Sequence, residues 1–340
     1  CSSDLVKADN PEGYNKVLPD NTNVIGGVYY KKGTPAEDIW RDLGLRGYTP
    51  FNNKMVPQTP FSTPRARAAV YLHSMYTQGN DQYSGSGSGV FIAPNIMLTV
   101  AHNYLDDTTK KIRTGLRGHA YVAGSYLYPT GYYDSADYPD PSRLTLPTDV
   151  DTNVFFRPGA YGGNYDSVST NDIAVVKFPR PVQLAVKGAR PRPIVKTPYP
   201  GTIGSKIINV GYPSAYQKNN GVLNESRGEI IDKPYARGLG VYPMTADSQA
   251  GNSGGGVYNE NDEVVGSLVG AFGPNGQNSE YNGFTPLDAV NHAWVKGLLD
   301  QYAIRGWYNE GGKRYYFDED GQMPVSTTKV INDREYRFDG

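Results

Sequence analysis

The sequence has little of three features that would each define a class of protein: cysteine, long apolar runs and charge of one sign. Its 340 residues include one cysteine, Cys1, which excludes an intrachain disulfide. No apolar run reaches the roughly 18 residues that a membrane-spanning helix needs. The formal net charge is −1, so the overall charge gives no reason to predict a nucleic-acid partner.

The chain is instead rich in glycine, proline and tyrosine, with 40, 25 and 28 residues. This composition favours many turns and short strands over helical repeats. Segments rich in β-branched and aromatic residues alternate with turn-forming ones, at 67–76, 88–102, 171–178, 206–213, 255–259 and 263–272. The sequence therefore predicts an all-β domain.

One helix is predicted to close this domain. Thr285 is a suitable N-cap, and Pro286 suits a first helical turn. Apolar residues then recur at helical spacing on one face, at Leu287, Val290, Trp294 and Leu298.

Three segments supply the residue types of a catalytic triad. LTVAHN at 98–103 carries His102, NDIAVVKF at 171–178 carries Asp172, and GNSGGG at 251–256 carries Ser253. A serine hydroxyl becomes nucleophilic when an imidazole takes its proton, and an acid orients that imidazole. We expect these side chains to hydrolyse an acyl bond through an acyl-enzyme intermediate, with no cofactor and no metal.

Each of the three residues also has a non-catalytic interpretation. Ser253 between glycines is typical of a turn, His102 after an apolar run is compatible with a core histidine, and Asp172 with a strand edge. The combination of the three favours catalysis. The other histidines, which lack a paired nucleophile, are predicted to be structural: His73, His119 and His292.

The segment around Ser253 also fits G-x-S-x-G, the nucleophile elbow of α/β-hydrolases. That elbow needs a helix after the serine and a triad histidine later in the chain. A glycine-rich, strand-like segment follows Ser253 instead, and the later histidine, His292, lies on the predicted closing helix. The sequence therefore disfavours the α/β-hydrolase fold.

Taken together, these motifs resemble the chymotrypsin-fold, trypsin-like serine proteases, and among them the bacterial glutamyl-endopeptidase-like branch. GSGVFIAPNIMLTVAHN at 87–103 is similar to the strands that lead into the family's catalytic histidine. VPQTPFSTP at 56–64 is similar to the start of its mature enzymes. The resemblance covers residues 54–303 and implies an all-β fold of two six-stranded antiparallel barrels with a C-terminal helix and a short β-hairpin tail.

The resemblance also implies roles for residues around the triad. The backbone N–H groups of Gly251 and Ser253 would form the oxyanion hole for the reacting carbonyl. The strand after the nucleophile hairpin would pair with the extended backbone of a polypeptide substrate, through Ser267, Val269 and Gly270.

Substrate specificity is where the sequence departs from that branch. Glutamyl endopeptidases carry a histidine where Leu268 stands, and a leucine cannot pair with a substrate carboxylate. Asp247 and Ser248 lie shortly before Ser253, at the base of the expected pocket. An aspartate that faces the pocket favours Lys or Arg, whereas one turned away leaves glutamate, small or apolar residues open.

The N-terminal residues 1–53 are polar and are predicted to form a loop-like extension. CSSDLVKADN resembles the mature start of a bacterial lipoprotein, which implies a lipid on Cys1 and attachment to a membrane surface. The expected location is therefore extracellular, either secreted to the cell surface or anchored there.

Residues 304–340 resemble the cell-wall or glucan-binding repeats of Gram-positive surface proteins. Three residues recur at a fixed offset: Tyr315, Phe317 and Asp318 are matched by Tyr336, Phe338 and Asp339. Trp307 has no aromatic counterpart at that offset, where Thr328 stands. Cell-wall or glycan contact and packing against the protease domain both remain open for this segment.

The sequence thus predicts an extracellular serine endopeptidase that acts on polypeptides. A catalytically idle cell-surface binding protein on a protease scaffold is the alternative, and the complete triad disfavours it. Three acidic residues between 106 and 170 offer possible calcium ligands: Asp134, Asp137 and Asp140. They lack the alternation and the central glycine of a calcium loop, which favours solvated turns.

Overall fold

The computed structural model describes residues 55–58, 61–106, 109–123, 143–160, 171–213, 223–233, 240–248, 250–272 and 281–340, together with the backbone of three short strands before residue 32. The predicted lipidation site, Cys1, and the three aspartates between 134 and 140 lie outside these residues. None of the described helices is long and apolar enough to cross a membrane.

The structure is built almost entirely of antiparallel strands. In chain order they are β1 (Val6–Lys7), β2 (Thr22–Ile25), β3 (Val28–Lys31), β4 (Val56–Pro57), β5 (Ala69–Gln78), β6 (Asp81–Ala93), β7 (Ile96–Thr99), β8 (Arg117–Val122), β9 (Arg143–Thr145), β10 (Val154–Phe156), β11 (Ala174–Lys177), β12 (Lys206–Gly211), β13 (Asn224–Glu229), β14 (Tyr242–Met244), β15 (Gly256–Tyr258), β16 (Val264–Phe272), β17 (Tyr281–Pro286), β18 (Gly306–Glu310), β19 (Lys313–Phe317), β20 (Thr327–Ile331) and β21 (Arg334–Phe338).

Most of these strands form two large sheets that curl into half-barrels. The first has eight strands in the order β10-β11-β7-β6-β5-β8-β9, with β1 added to β6; the second has seven, in the order β14-β17-β16-β15-β12-β13-β4. The predicted all-β, chymotrypsin-like architecture is confirmed, with more than six strands in each sheet because short strands extend the edges. The first 53 residues, expected to be loop-like, contribute β1 and the β2–β3 hairpin.

Two apolar clusters account for this arrangement. One lies inside the first half-barrel, around Phe91, Met97 and Tyr104. The larger one draws on both sheets, with Val90 and Leu98 from the first and Val257 from the second. Burial of apolar surface between the sheets therefore fixes the half-barrels against each other without a disulfide.

The closing helix begins later than its sequence pattern predicts. A short helix, α1 (Val182–Ala185), precedes it, and the closing helix itself is α2 (Ala289–Tyr302). Thr285 and Pro286 belong to β17, whose backbone pairs with β16. The N-cap is therefore Asp288, whose Oδ1 accepts the N–H groups of Val290 and Asn291 at 3.1 and 2.9 Å.

This shift also changes which face of α2 is buried. Val290, predicted to lie on the apolar face, is 58% exposed. The buried residues are Asn291, His292, Val295 and Leu299. His292 Nε2 bonds to the carbonyl of Val195 at 2.8 Å, in agreement with its predicted structural role.

The C-terminal residues form two hairpins, β18–β19 and β20–β21, which are joined by an aromatic cluster. The Trp307 ring centroid lies 4.8 Å from that of Tyr336 and 6.1 Å from that of Phe338, so one residue of the first hairpin packs against two of the second. Trp307 therefore has aromatic partners in space although it has none at the repeat offset.

The first hairpin and the turn after it are docked on the first half-barrel. Gln183 Nε2 donates to the carbonyl of Gly321 at 2.7 Å in a buried position, and Gln322 Nε2 donates to the carbonyl of Pro191 at 2.9 Å. A more exposed ion pair joins Arg180 to Glu310 at 2.8 Å. The packing role that the sequence left open is thus present in the structure.

Candidate active site

His102 and Asp172 come together at the end of the first half-barrel. His102 lies in a 3₁₀ turn (Ala101–Asn103) directly after β7, and Asp172 lies just before β11, which pairs with β7. Pairing of β7 with β11 therefore brings together two residues that are 70 positions apart.

The contact between these two side chains has the geometry of a catalytic dyad. His102 Nδ1 lies 2.6 Å from Asp172 Oδ2, and the backbone N–H of His102 donates to Asp172 Oδ1 at 3.0 Å. Asp172 is fully buried, while about a fifth of the His102 side chain is exposed. A carboxylate that accepts from Nδ1 leaves Nε2 of the imidazole as the proton acceptor on the exposed side.

The turn that carries His102 is held from behind by Arg113. This buried guanidinium donates to the carbonyl of His102 at 3.1 Å and to that of Leu105 at 3.1 Å, and it lies over the ring of Tyr76 at 4.4 Å. Carbonyls at the end of a helical turn need donors, and Arg113 supplies them here. Arg113 carries no sequence signal of this role, because it lies beyond the turn and outside every motif.

Ser253 lies in the glycine-rich loop that leads into β15. Its Oγ donates to the carbonyl of Val269 at 3.2 Å, and among the described residues it has no hydrogen bond to His102. The loop is fixed on both sides, because the N–H of Gly254 donates to the carbonyl of Leu268 at 2.8 Å and the N–H of Ser88 donates to that of Ser253 at 2.7 Å.

The two N–H groups predicted to form an oxyanion hole lie in this loop. Gly251 has a φ of 92°, a conformation that favours glycine. Within the described part of the chain, the N–H groups of Gly251 and Ser253 have no hydrogen-bond acceptor. Donors without an acceptor among the described residues are what the predicted oxyanion hole requires.

Sheet pairing reduces the number of residues in the predicted substrate-binding strand that a substrate could reach. Ser267 is fully buried and paired on both sides, with Gly256 of β15 and Thr285 of β17. Its backbone is therefore not available to a substrate, and the prediction that Ser267 pairs with the substrate backbone was wrong. Beyond Leu268 the pairing of β16 with β15 ends, which leaves Val269 and Gly270 next to the nucleophile loop with β17 on one side.

All three predicted specificity residues are buried in the second half-barrel. Leu268 packs in the apolar cluster shared by the two sheets and is fully buried. As an apolar side chain, it offers no partner to a substrate carboxylate. Asp247 and Ser248 are 4% and 9% exposed. The Asp247 backbone is held at both ends, since its N–H donates to Ser226 Oγ at 2.6 Å and its carbonyl accepts from Asn209 Nδ2 at 2.9 Å.

The aromatic cluster of the tail carries cations of the chain itself. The Arg314 guanidinium lies 4.3 Å above the Trp307 ring, and Lys329 Nζ lies 5.5 Å from the Tyr316 ring centre. Cation–π contacts of this kind use the same ring faces that a quaternary ammonium or a sugar would approach.

Comparison with known proteins identifies the family of the chain. A model of the trypsin-like peptidase domain matches residues 87–266, more than half of the chain and a range that contains His102, Asp172 and Ser253. A model of a cell wall binding repeat matches residues 306–323. No curated protein matches the chain.

Solved structures show the same fold. A Glu endopeptidase in complex with MPD matches with a TM-score of 0.50 and 20% identity, over 73% of this chain and 97% of that one. The protease Anisep from Arthrobacter nicotinovorans matches with a TM-score of 0.50 and 16% identity, over 74% and 99%. The fold is therefore that of the chymotrypsin-like proteases, and the chain belongs to the trypsin-like peptidase family.

Proposed function

We propose that this peptidase is a serine endopeptidase with His102 as general base, Asp172 as its orienting acid and Ser253 as nucleophile. The 2.6 Å contact between His102 Nδ1 and Asp172 Oδ2 is the observation that carries the proposal. It sets the tautomer in which Nε2 takes the proton of Ser253 and then gives it to the leaving amine.

The remaining steps follow from the nucleophile loop. Rotation of the Ser253 hydroxyl away from the carbonyl of Val269 would turn it toward His102 when a substrate binds. The oxygen of the carbonyl under attack would accept hydrogen bonds from the N–H groups of Gly251 and Ser253. Each such oxyanion-hole donor commonly stabilises the transition state by about 3 kcal/mol. The acyl-enzyme formed on Ser253 is then hydrolysed by water.

A fluorophosphonate probe tests this assignment directly, because it reacts with an activated serine. We expect stoichiometric labelling of Ser253, located by peptide mass mapping, and loss of both labelling and peptide cleavage in Ser253→Ala. Ser326→Ala, which removes a hydroxyl from the hairpin tail, is the matched control and should be labelled like the wild type. An unlabelled wild type would favour the catalytically idle binding protein instead.

We also propose that the enzyme acts outside the cell, at the cell surface. The match of residues 306–323 to a cell wall binding repeat supports this location. Binding of the purified protein to isolated cell walls, compared with a variant that lacks residues 304–340, tests the contribution of the tail. Equal retention of the two proteins on the walls would remove the repeat from the proposal.

A further inference from the structure

The residue after the general base makes an unusual set of contacts. Asn103 Nδ2 donates to the carbonyl of Ser253 at 3.0 Å and to Thr99 Oγ1 at 3.0 Å, and lies 3.4 Å from the carbonyl of Ser88. One side chain thus joins the turn that carries His102 to the backbone of the nucleophile itself. His102 and Ser253 belong to different half-barrels, so this bond crosses between them.

The carbonyl of Ser253 is held by a second donor on the same side. The backbone N–H of Ser88 reaches it at 2.7 Å, and the Ser88 hydroxyl donates to the carbonyl of Gly251 at 2.8 Å. Thr99 Oγ1 in turn donates to the carbonyl of Ser88 at 2.7 Å. Strand β6, the end of β7 and the nucleophile loop therefore share one polar cluster, whose side chains are Ser88, Thr99 and Asn103.

This polar cluster is packed too closely to shift without cost. A Cβ on Gly254, whose φ is +91°, would lie 2.1 Å from the carbonyl of Ser88 and 2.9 Å from Asn103 Nδ2. On its other side, a Cβ on Gly87 would lie 2.7 Å from both Asn103 Nδ2 and Oδ1. A side chain at either position would therefore collide with the Asn103 amide, so the two glycines leave the space that it occupies.

We propose that Asn103 is a positioning residue that sets the distance and direction between His102 and Ser253. The inference rests on the proposed function, since it assigns His102 as base and Ser253 as nucleophile. Asp172 fixes the imidazole ring within the first half-barrel. Its bond to the second half-barrel runs from Thr285 Oγ1 to its backbone carbonyl at 3.1 Å and does not involve the nucleophile loop. Asn103 adds the contact that relates the two halves of the site, and reaction rates are steeply sensitive to such spacing.

The variants Asn103→Leu and Asn103→Asp keep the approximate size of the side chain and remove its N–H donors. We expect each to lower kcat on a short peptide about 10- to 100-fold, with KM within about twofold of the wild type. The rate constant for fluorophosphonate labelling of Ser253 should fall by a similar factor, while the final stoichiometry stays the same.

Asn95 provides a matched control in the same half-barrel. Asn95 is buried, whereas Asn103 is half-buried, and its side chain also makes two short hydrogen bonds: it donates to the carbonyl of Tyr302 at 3.0 Å and accepts from the N–H of Ile304 at 2.8 Å. Asn95→Leu should lower the thermal midpoint without a change in kcat for the folded protein. If Asn103 only stabilises the fold, Asn103→Leu will behave in the same way, and the proposal is then overturned.

The labelling experiment separates the two proposals. A wild type that is not labelled at all refutes the serine peptidase and the positioning role together. A wild type that is labelled, with Asn103→Leu labelled equally fast, refutes the positioning role alone. Where Asn103→Leu does not fold, Asn103→Ala also removes the donor to the Ser253 carbonyl, and an unchanged labelling rate in that variant has the same meaning.

Discussion

Two histidines lie side by side on adjacent strands of the first half-barrel and make its stability sensitive to acid. His73 on β5 is the cross-strand partner of His119 on β8, and Arg143 on β9 lies near His119. Burial, and secondarily the charge of His119, lowers the pKa of His73 from 6.5 to about 4. The pKa of His119 is also lowered, by burial and then by Arg143.

The sign of the effect follows from these directions. Between pH 6.5 and about 4 the unfolded chain binds a proton at His73 that the folded chain does not, so the free energy of unfolding falls as the pH falls. Each pH unit in that range costs up to about 1.4 kcal/mol, which gives at most about 3 kcal/mol from His73. Below about pH 4 both states are protonated, and the loss ends.

Urea denaturation at pH 7, 5.5 and 4.5, followed by tryptophan fluorescence, measures this loss. His73→Gln removes the titrating group, so the pH dependence of its unfolding free energy should be smaller than that of the wild type by about 2 to 3 kcal/mol at pH 4.5. Ser86→Ala changes the neutral residue opposite His73 on β6 and is the control. Equal pH dependence in the wild type and His73→Gln would refute the reasoning.

Three further expected outcomes concern the hairpin tail, Asp172 and Asp247. Deleting residues 304–340 should lower stability by about 1 to 3 kcal/mol, because Gln183 loses a buried acceptor, yet leave kcat/KM on short peptides within about twofold; a well-folded but inactive deletion would contradict this. Asp172→Asn should lower kcat on the order of 10⁴-fold in a single-substrate assay, since the imidazole loses its orienting acceptor; a small loss would make another group the acid. Asp247→Asn should reduce any preference for Lys or Arg about tenfold or more on matched peptides, whereas strong glutamate cleavage by the wild type would remove the argument from Leu268.

The triad candidates could be predicted from the sequence because each lies in a short segment with its own chemical signature. His102 follows an apolar strand, Asp172 precedes one, and Ser253 stands among glycines that the loop needs for its positive φ values. The alternation of apolar and turn residues likewise predicted the all-β class. Local patterns of this kind survive folding because strand burial repeats every second residue.

The closing helix shows where local patterns fail. Thr285 and Pro286 satisfy the usual preferences for a helix start, and the prediction placed the first turn there. The backbone of these two residues is instead part of the sheet, because β17 pairs with β16 as far as Pro286. The helix therefore begins three residues later, and its buried face turns from Val290 to Asn291 and His292. Strand pairing between distant segments, which local sequence patterns do not reveal, therefore sets the start of the helix.

The contacts of Asn103 and Ser88 also could not be predicted from the sequence, for a different reason. Asn103 and Ser253 are 150 residues apart, and Ser88 and Gly251 are 163 apart. Nothing in either segment signals its partner, because an asparagine or a serine suits a turn equally well. Yet with one cysteine in the chain, no disulfide can join the half-barrels at the site. Apolar burial holds the half-barrels together, and the hydrogen bonds between the His102 turn and the nucleophile loop add a local constraint at the site. Substitutions in the Ser88, Thr99 and Asn103 cluster should therefore reduce stability and catalysis together.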